Sequence, residues 1–141
     1  MRRHELARMI DYTLLKPEAT PEEVDRLCRE AREHHFASVC VNPIFVPLAV
    51  QLLAGSDVAV CTVAGFPLGA TSMAVKVCEA ELAIAKGATE IDMVIAVGLL
   101  KAGQADRVRD DIAAVASTCH AGGALLKVII ETALLTDAEK V

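Results

Sequence analysis

The chain has no tryptophan, one tyrosine and three phenylalanines, so aromatic residues make up only 3% of it. That removes the stacking platforms on which single-stranded nucleic acids are held. Basic residues are not in excess either: 14 Lys and Arg stand against 19 Asp and Glu, for a net charge of −5. With no basic stripe, nucleic acid is not an expected partner, and an anionic substrate would need a local site to overcome the overall field. No apolar run approaches the roughly 18 residues of a membrane span. The opening MRRHELARMID carries Glu5 and Asp11 where a signal peptide needs an apolar stretch. The five cysteines (Cys28, Cys40, Cys61, Cys78 and Cys119) are odd in number and scattered, with no CxxC and no His–Cys group at zinc spacing. Reduced thiols in a soluble, cytoplasmic protein are the expectation, and no metal site is expected from spacing.

What is present is aliphatic. The chain is 54% hydrophobic, with Ala, Val, Leu and Ile carrying most of that mass. A short amphipathic helix is predicted over 4–10, and Tyr12-Thr13-Leu14-Leu15 reads as a first strand. Thr20-Pro21-Glu22-Glu23 then combines an N-cap, a proline at the first helical position and a glutamate three residues after the cap, so a helix should run to about Glu33. SVCV (38–41) is a strand, followed by an apolar helix from Pro43 to about Leu53. VAVCTVAG (58–65), EIDMVIAVG (90–98) and LLKVIIE (125–131) are further strands, separated by helices over 71–86 and 104–119. Strands alternating with helices of this length predict βαβ units and a parallel sheet covered by helices.

Thr136-Asp137-Ala138-Glu139 forms another capping box, so a helix should begin near residue 137, a few residues before the last. About five strands are present, whereas an eight-stranded α/β barrel takes ~250 residues. The chain is therefore expected to be one partial barrel domain over residues 1–141, incomplete at its C-terminal end. It is either cut from a longer chain or a natural half-barrel.

Two charges stand out inside apolar strands: Asp92 in Glu90-Ile91-Asp92-Met93-Val94, and Lys127 in Leu125-Leu126-Lys127-Val128-Ile129. Burying either is costly unless it is paired, and opposite charges on consecutive strands can pair. Such pairs often mark functional sites, although a plain ion pair, or a lysine snorkelling from a strand end, explains the pattern equally well. The loop Gly65-Phe66-Pro67-Leu68-Gly69-Ala70-Thr71 lies after a strand, where barrel enzymes place their catalytic loops. It reads equally as a turn whose Thr71 caps the next helix. Asp11 and Thr13 sit where the first helix meets the first strand. Cys40 and Thr62 are strand residues that either fill a core or face a pocket. Lys16, Lys76, Lys86, Lys101 and Lys140, and the four histidines (His4, His34, His35 and His120), are expected to be solvated.

Five segments, IDYTLLKPEAT (10–20), SVCVNP (38–43), VAGFPLGAT (63–71), EIDMVIAVG (90–98) and LLKVIIET (125–132), resemble deoxyribose-phosphate aldolase in order and spacing. The resemblance implies a (β/α)8 TIM barrel and a class I aldolase. Such an enzyme interconverts 2-deoxy-D-ribose 5-phosphate with D-glyceraldehyde 3-phosphate and acetaldehyde through a Schiff base, with no metal or organic cofactor. That chemistry needs a neutral lysine amine to form the imine and a poised acid/base group to move protons. By motif, Asp92 matches the proton donor/acceptor and Lys127 a supporting lysine that shapes the pocket's charge. Asp11 and Thr13 resemble polar residues lining the substrate end, and Cys40 resembles a residue near the pocket. The imine-forming lysine of the family belongs to a following strand, and none of the lysines present stands in its motif. The phosphate-binding loops likewise belong to later strands. Two other readings compete. One is a non-catalytic half-barrel whose open sheet edges lead it to associate, with itself as a homo-oligomer or with another chain. The other is a different barrel lyase or isomerase that shares only the fold.

Overall fold

The computed structural model of the chain describes residues 2–141. A short helix α1 (Arg3–Ala7) leads into strand β1 (Asp11–Leu14). Helix α2 (Pro21–His34) starts at the expected capping box: Thr20 Oγ1 accepts from the Glu23 amide, and the Thr20 amide donates to the Glu23 carboxylate at 2.9 Å. It ends at His35 in the left-handed region, φ 52°. Strand β2 (Ser38–Val41) is followed by a 3-10 turn (Pro43–Phe45) and α3 (Val46–Leu52). Then come β3 (Ala59–Ala64), α4 (Met73–Ala85), β4 (Glu90–Val94), α5 (Val97–Lys101), α6 (Ala105–Ala121) and β5 (Leu125–Ile129).

All five strands are parallel, in the order β1-β2-β3-β4-β5. The order never reverses, as it would at the switch point of a doubly wound sheet. Crossovers of one hand then bring the crossover helices α2, α3, α4 and α6 to the same face. The core confirms this arrangement. Val24 and Leu27 of α2, Ala49 of α3, Ala80 and Ala83 of α4, and Val115 and Cys119 of α6 pack with Val39, Val41, Val60, Ile91 and Met93 of the strands. Thr62 lies on this helical side, fully buried, its hydroxyl donating to the Val41 carbonyl at 2.7 Å. The alternate strand residues point to the other, inner face.

The inner face is concave. Lys127 Nζ on β5 lies 2.6 Å from Asp11 Oδ2 on β1. In a flat sheet these outer strands would be about 19 Å apart, at ~4.8 Å per strand, beyond the combined reach of the two side chains. The sheet is bent into an arc whose ends meet across the interior.

Several expectations need correcting. The strand expected over 90–98 stops at Val94, because the backbone turns at Ala96 (ψ 79°) into α5. The strand expected over 125–131 stops at Ile129, and Glu131 turns left-handed at φ 55°. The N-cap of α4 is Ser72, not Thr71. The helix anticipated at 137 is a 3-10 turn (Asp137–Glu139), with its capping box formed. Lys76 is not solvated. It is fully buried on α4 and ion-paired with Asp111 of α6 at 2.5 Å.

Candidate active site

Strand alternation puts Asp11 and Thr13 of β1, Ser38 and Cys40 of β2, Cys61 and Val63 of β3, Glu90 and Asp92 of β4, and Lys127 of β5 on the inner face. Register then decides which of them meet. Asp92 is level with Lys127, Glu90 with Cys61, Cys61 with Cys40, and Asp11 with Ser38. The result is a polar cluster in a sheet whose other face is apolar.

Lys127 is its centre. Its ammonium lies 2.6 Å from Asp11, 2.9 Å from Glu90 and 3.2 Å from Asp92. Partial burial alone would lower its pKa, but the hydrogen bonds to Asp11 and Glu90 and the charge of Asp92 outweigh that and raise it above 10.5. This amine stays protonated at neutral pH. Asp11 shows the reciprocal effect. Desolvation would raise its pKa, yet the Lys127 ammonium and the Ser38 hydroxyl, which donates at 2.7 Å, bring it below 3.8. Three carboxylates around one ammonium leave the cluster with a local excess of negative charge.

Asp92 sits between this cluster and two thiols. One of its oxygens, Oδ2, accepts from Cys40 Sγ at 3.9 Å, while Oδ1 is buried and makes no aligned hydrogen bond despite its closeness to Lys127. Cys61 is fully buried beside Cys40, and its thiol pKa is pushed up by hydrogen bonding to Cys40 and then by burial. The Cys61 thiol is therefore protonated at neutral pH.

Of the residues singled out in the sequence, the structure brings together Asp11, Cys40, Asp92 and Lys127. Thr13 stays apart from the ion cluster: it shares the face of Asp11, but its hydroxyl donates to the Asp11 carbonyl at 2.9 Å. Glu90, Ser38 and Cys61 belong to the cluster and were not anticipated. The signal for Glu90 and Ser38 was available, since each is two residues before a singled-out residue and so faces the same way. Cys61 needed the strand register.

The loops after β3 and β4 border the C-terminal end of the sheet. The loop after β3 is closed by a hydrogen bond from the Gly69 amide to the Gly65 carbonyl at 2.7 Å, and Glu79 accepts from the Gly65 amide at 2.6 Å. A groove lined by Leu68, Gly69, Ala70, Val97 and Gly98 runs between this loop and α5.

A parallel β/α arc with a charged inner face and loops at its C-terminal end defines a barrel-type α/β enzyme scaffold. The chain belongs to the DeoC/LacD family of aldolases, whose family model matches residues 6–140. It is 60% identical over 134 residues to a deoxyribose-phosphate aldolase from Brevibacillus brevis, covering 95% of this chain and 60% of that protein. To the deoxyribose-phosphate aldolase of Clostridium kluyveri it is 57% identical over 141 residues, covering all of this chain and 64% of that one. It superposes on the tetrameric deoxyribose phosphate aldolase from Aeropyrum pernix with a TM-score of 0.89 at 34% identity, covering 98% of this chain and 57% of that one. The chain thus spans about three fifths of the length of its curated relatives, and it supplies five consecutive strands of the barrel fold.

Proposed function

We propose that this chain is the front part of a deoxyribose-phosphate aldolase. That enzyme cleaves 2-deoxy-D-ribose 5-phosphate reversibly to D-glyceraldehyde 3-phosphate and acetaldehyde, in the cytoplasmic breakdown of deoxyribose phosphate. The observation that carries the proposal is the Asp92–Lys127 pair on the inner face of a parallel β/α arc, in a chain that belongs to an aldolase family. In this reading a lysine amine from a following strand adds to the carbonyl carbon and water leaves, giving an imine. Its protonated nitrogen accepts the electron pair as the C–C bond breaks. Asp92 takes and returns protons, directly or through water. Lys127 keeps its own charge beside Asp92 and shapes the substrate site, which Asp11, Thr13 and Cys40 line. Lys127 itself is unsuited to imine formation, because its carboxylate partners keep the amine protonated. No metal or organic cofactor has a part in this chemistry.

Reductive trapping with acetaldehyde and borohydride tests the proposal. In the 141-residue chain, Lys127 should stay unmodified. In the chain extended to the length of its relatives, an adduct should form on a lysine beyond Val141, and 2-deoxyribose 5-phosphate should be cleaved. An extended chain that cleaves nothing overturns the aldolase reading, and an adduct mapped to Lys127 overturns its supporting role.

One observation favours a second reading, that of a self-associating half-barrel: β1 and β5 are outer strands, and Leu125 (54% exposed) and Val128 (36%) of β5 are open to solvent.

A further inference from the structure

On the inner face beside the ion cluster, the structure assembles a second chemical grouping from three neighbouring strands. Cys40 of β2, Cys61 of β3 and Asp92 of β4 each present one ligand-type atom, and the three atoms lie within 4.8 Å of one another. The two cysteines are register partners, both buried and neither in a disulfide. The Cys40 thiol meets the Asp92 carboxylate at 3.9 Å. Of the two Asp92 oxygens, Oδ2 is the one that faces the thiols, while Oδ1 lies 3.2 Å from the Lys127 ammonium.

Geometry, charge and ligand type agree on what would satisfy this grouping. Zinc sits about 2.3 Å from thiolate sulfur and about 2.0 Å from carboxylate oxygen, in tetrahedral arrangement. Ligand atoms in such a site are therefore roughly 3.5–3.8 Å apart, so rotations of the two thiols and the carboxylate would bring the present spacing into range. The carboxylates of Asp11, Glu90 and Asp92 outnumber the Lys127 ammonium, so the surroundings favour a cation. Two sulfurs select a thiophilic ion over magnesium or calcium. The ion would approach from the side of Asp92 and Lys127, whose side chains are 16% and 30% exposed.

We propose that Cys40, Cys61 and Asp92 form a binding site for a thiophilic divalent cation of the zinc class. Binding makes two metal–sulfur bonds and one metal–oxygen bond, releases the two thiol protons to solvent and leaves the fourth position to water. Occupancy engages the carboxylate of Asp92. If Asp92 moves protons as proposed above, the cation is an inhibitor of the aldolase. That consequence rests on the aldolase reading, whereas the binding itself does not.

Cadmium serves as the probe, titrated into the 141-residue chain kept reduced with a phosphine, with the sulfur-to-cadmium charge-transfer absorption as readout. Saturation at one ion per chain, with the intensity of two thiolates, is the expected result. Cys61→Ser or Cys40→Ser should halve the intensity. Asp92→Asn should keep it but weaken binding by about tenfold or more. Cys78→Ser, which removes an exposed thiol, should change nothing. Cadmium NMR of the unaltered chain keeps the test valid where a serine variant fails to fold, and should report two sulfur ligands. An oxygen-only resonance, absorption that never saturates, or intensity that vanishes with Cys78→Ser overturns the site. Failure of the aldolase reading would leave the cadmium signal unchanged, so the two can fail separately.

Discussion

Two lysines in this chain are taken out of water for opposite ends. Lys76 is fully enclosed between α4 and α6 with a single partner, Asp111, and its aliphatic stem packs under Gly65, where a Cβ would come within 2.8 Å of it. It ties helices together. Lys127 is partly open and shared among three acids, which leaves it charged and facing the interior of the arc. Asp92 differs again, with an ammonium on one side and a thiol on the other, and its proposed part is to exchange a proton with the substrate. If the proposed activity holds, Asp92→Asn in a chain extended to the length of its relatives should lower kcat by about 10²–10⁴-fold, with an unchanged circular dichroism spectrum. Near-normal turnover would remove Asp92 from proton transfer.

At the scale of elements, the loop after β3 is fixed by contact rather than by its own hydrogen bonds alone. Gly69 has φ +65°, and a Cβ there would lie 1.8 Å from the Ile95 carbonyl oxygen just past β4. Gly69→Ala should therefore destabilise the chain by more than about 1–2 kcal/mol, the cost of the left-handed conformation alone. Gly98, within α5, has open space for at least 4 Å around the position a methyl group would take, so Gly98→Ala should be neutral or stabilising by up to about 1 kcal/mol. Urea unfolding of both variants checks the contrast, and equal midpoints would mean that the loop does not pack on Ile95. The glycines marked a turn in the sequence, but their partner did not show. Nor did the end of β4, because Val94-Ile95-Ala96-Val97 is one apolar run, and hydrophobicity does not separate a buried strand from a buried helix. Lys76 was misplaced for a related reason. Its helix, MAVKVCEAELAIA, is apolar on several sides, so the sequence does not say which side faces in.

For the molecule as a whole, the alternation of strands and helices made the parallel sheet legible, and five ordered motifs pointed to the family. Curvature was not legible. It accumulates from small rotations between neighbouring strands, and no single residue encodes it, so the meeting of Asp11 with Lys127 could not be read from the sequence. If the second reading holds, the exposed edge of β5 should drive association, and light scattering of the 141-residue chain at micromolar concentration should give the mass of a dimer or more. A monomer would dismiss self-association.

The contact between Asp11 and Lys127 also has a meaning in time. Every strand pairing in the sheet joins consecutive units of the chain, whereas this ion pair joins residues 116 positions apart. Loop closure over such a span gains no support until the intervening strands are aligned. The pair is therefore expected to form only after the intervening strands have aligned. Until then the β5 ammonium lacks its β1 partner, and their meeting at 2.6 Å belongs to the curved sheet alone.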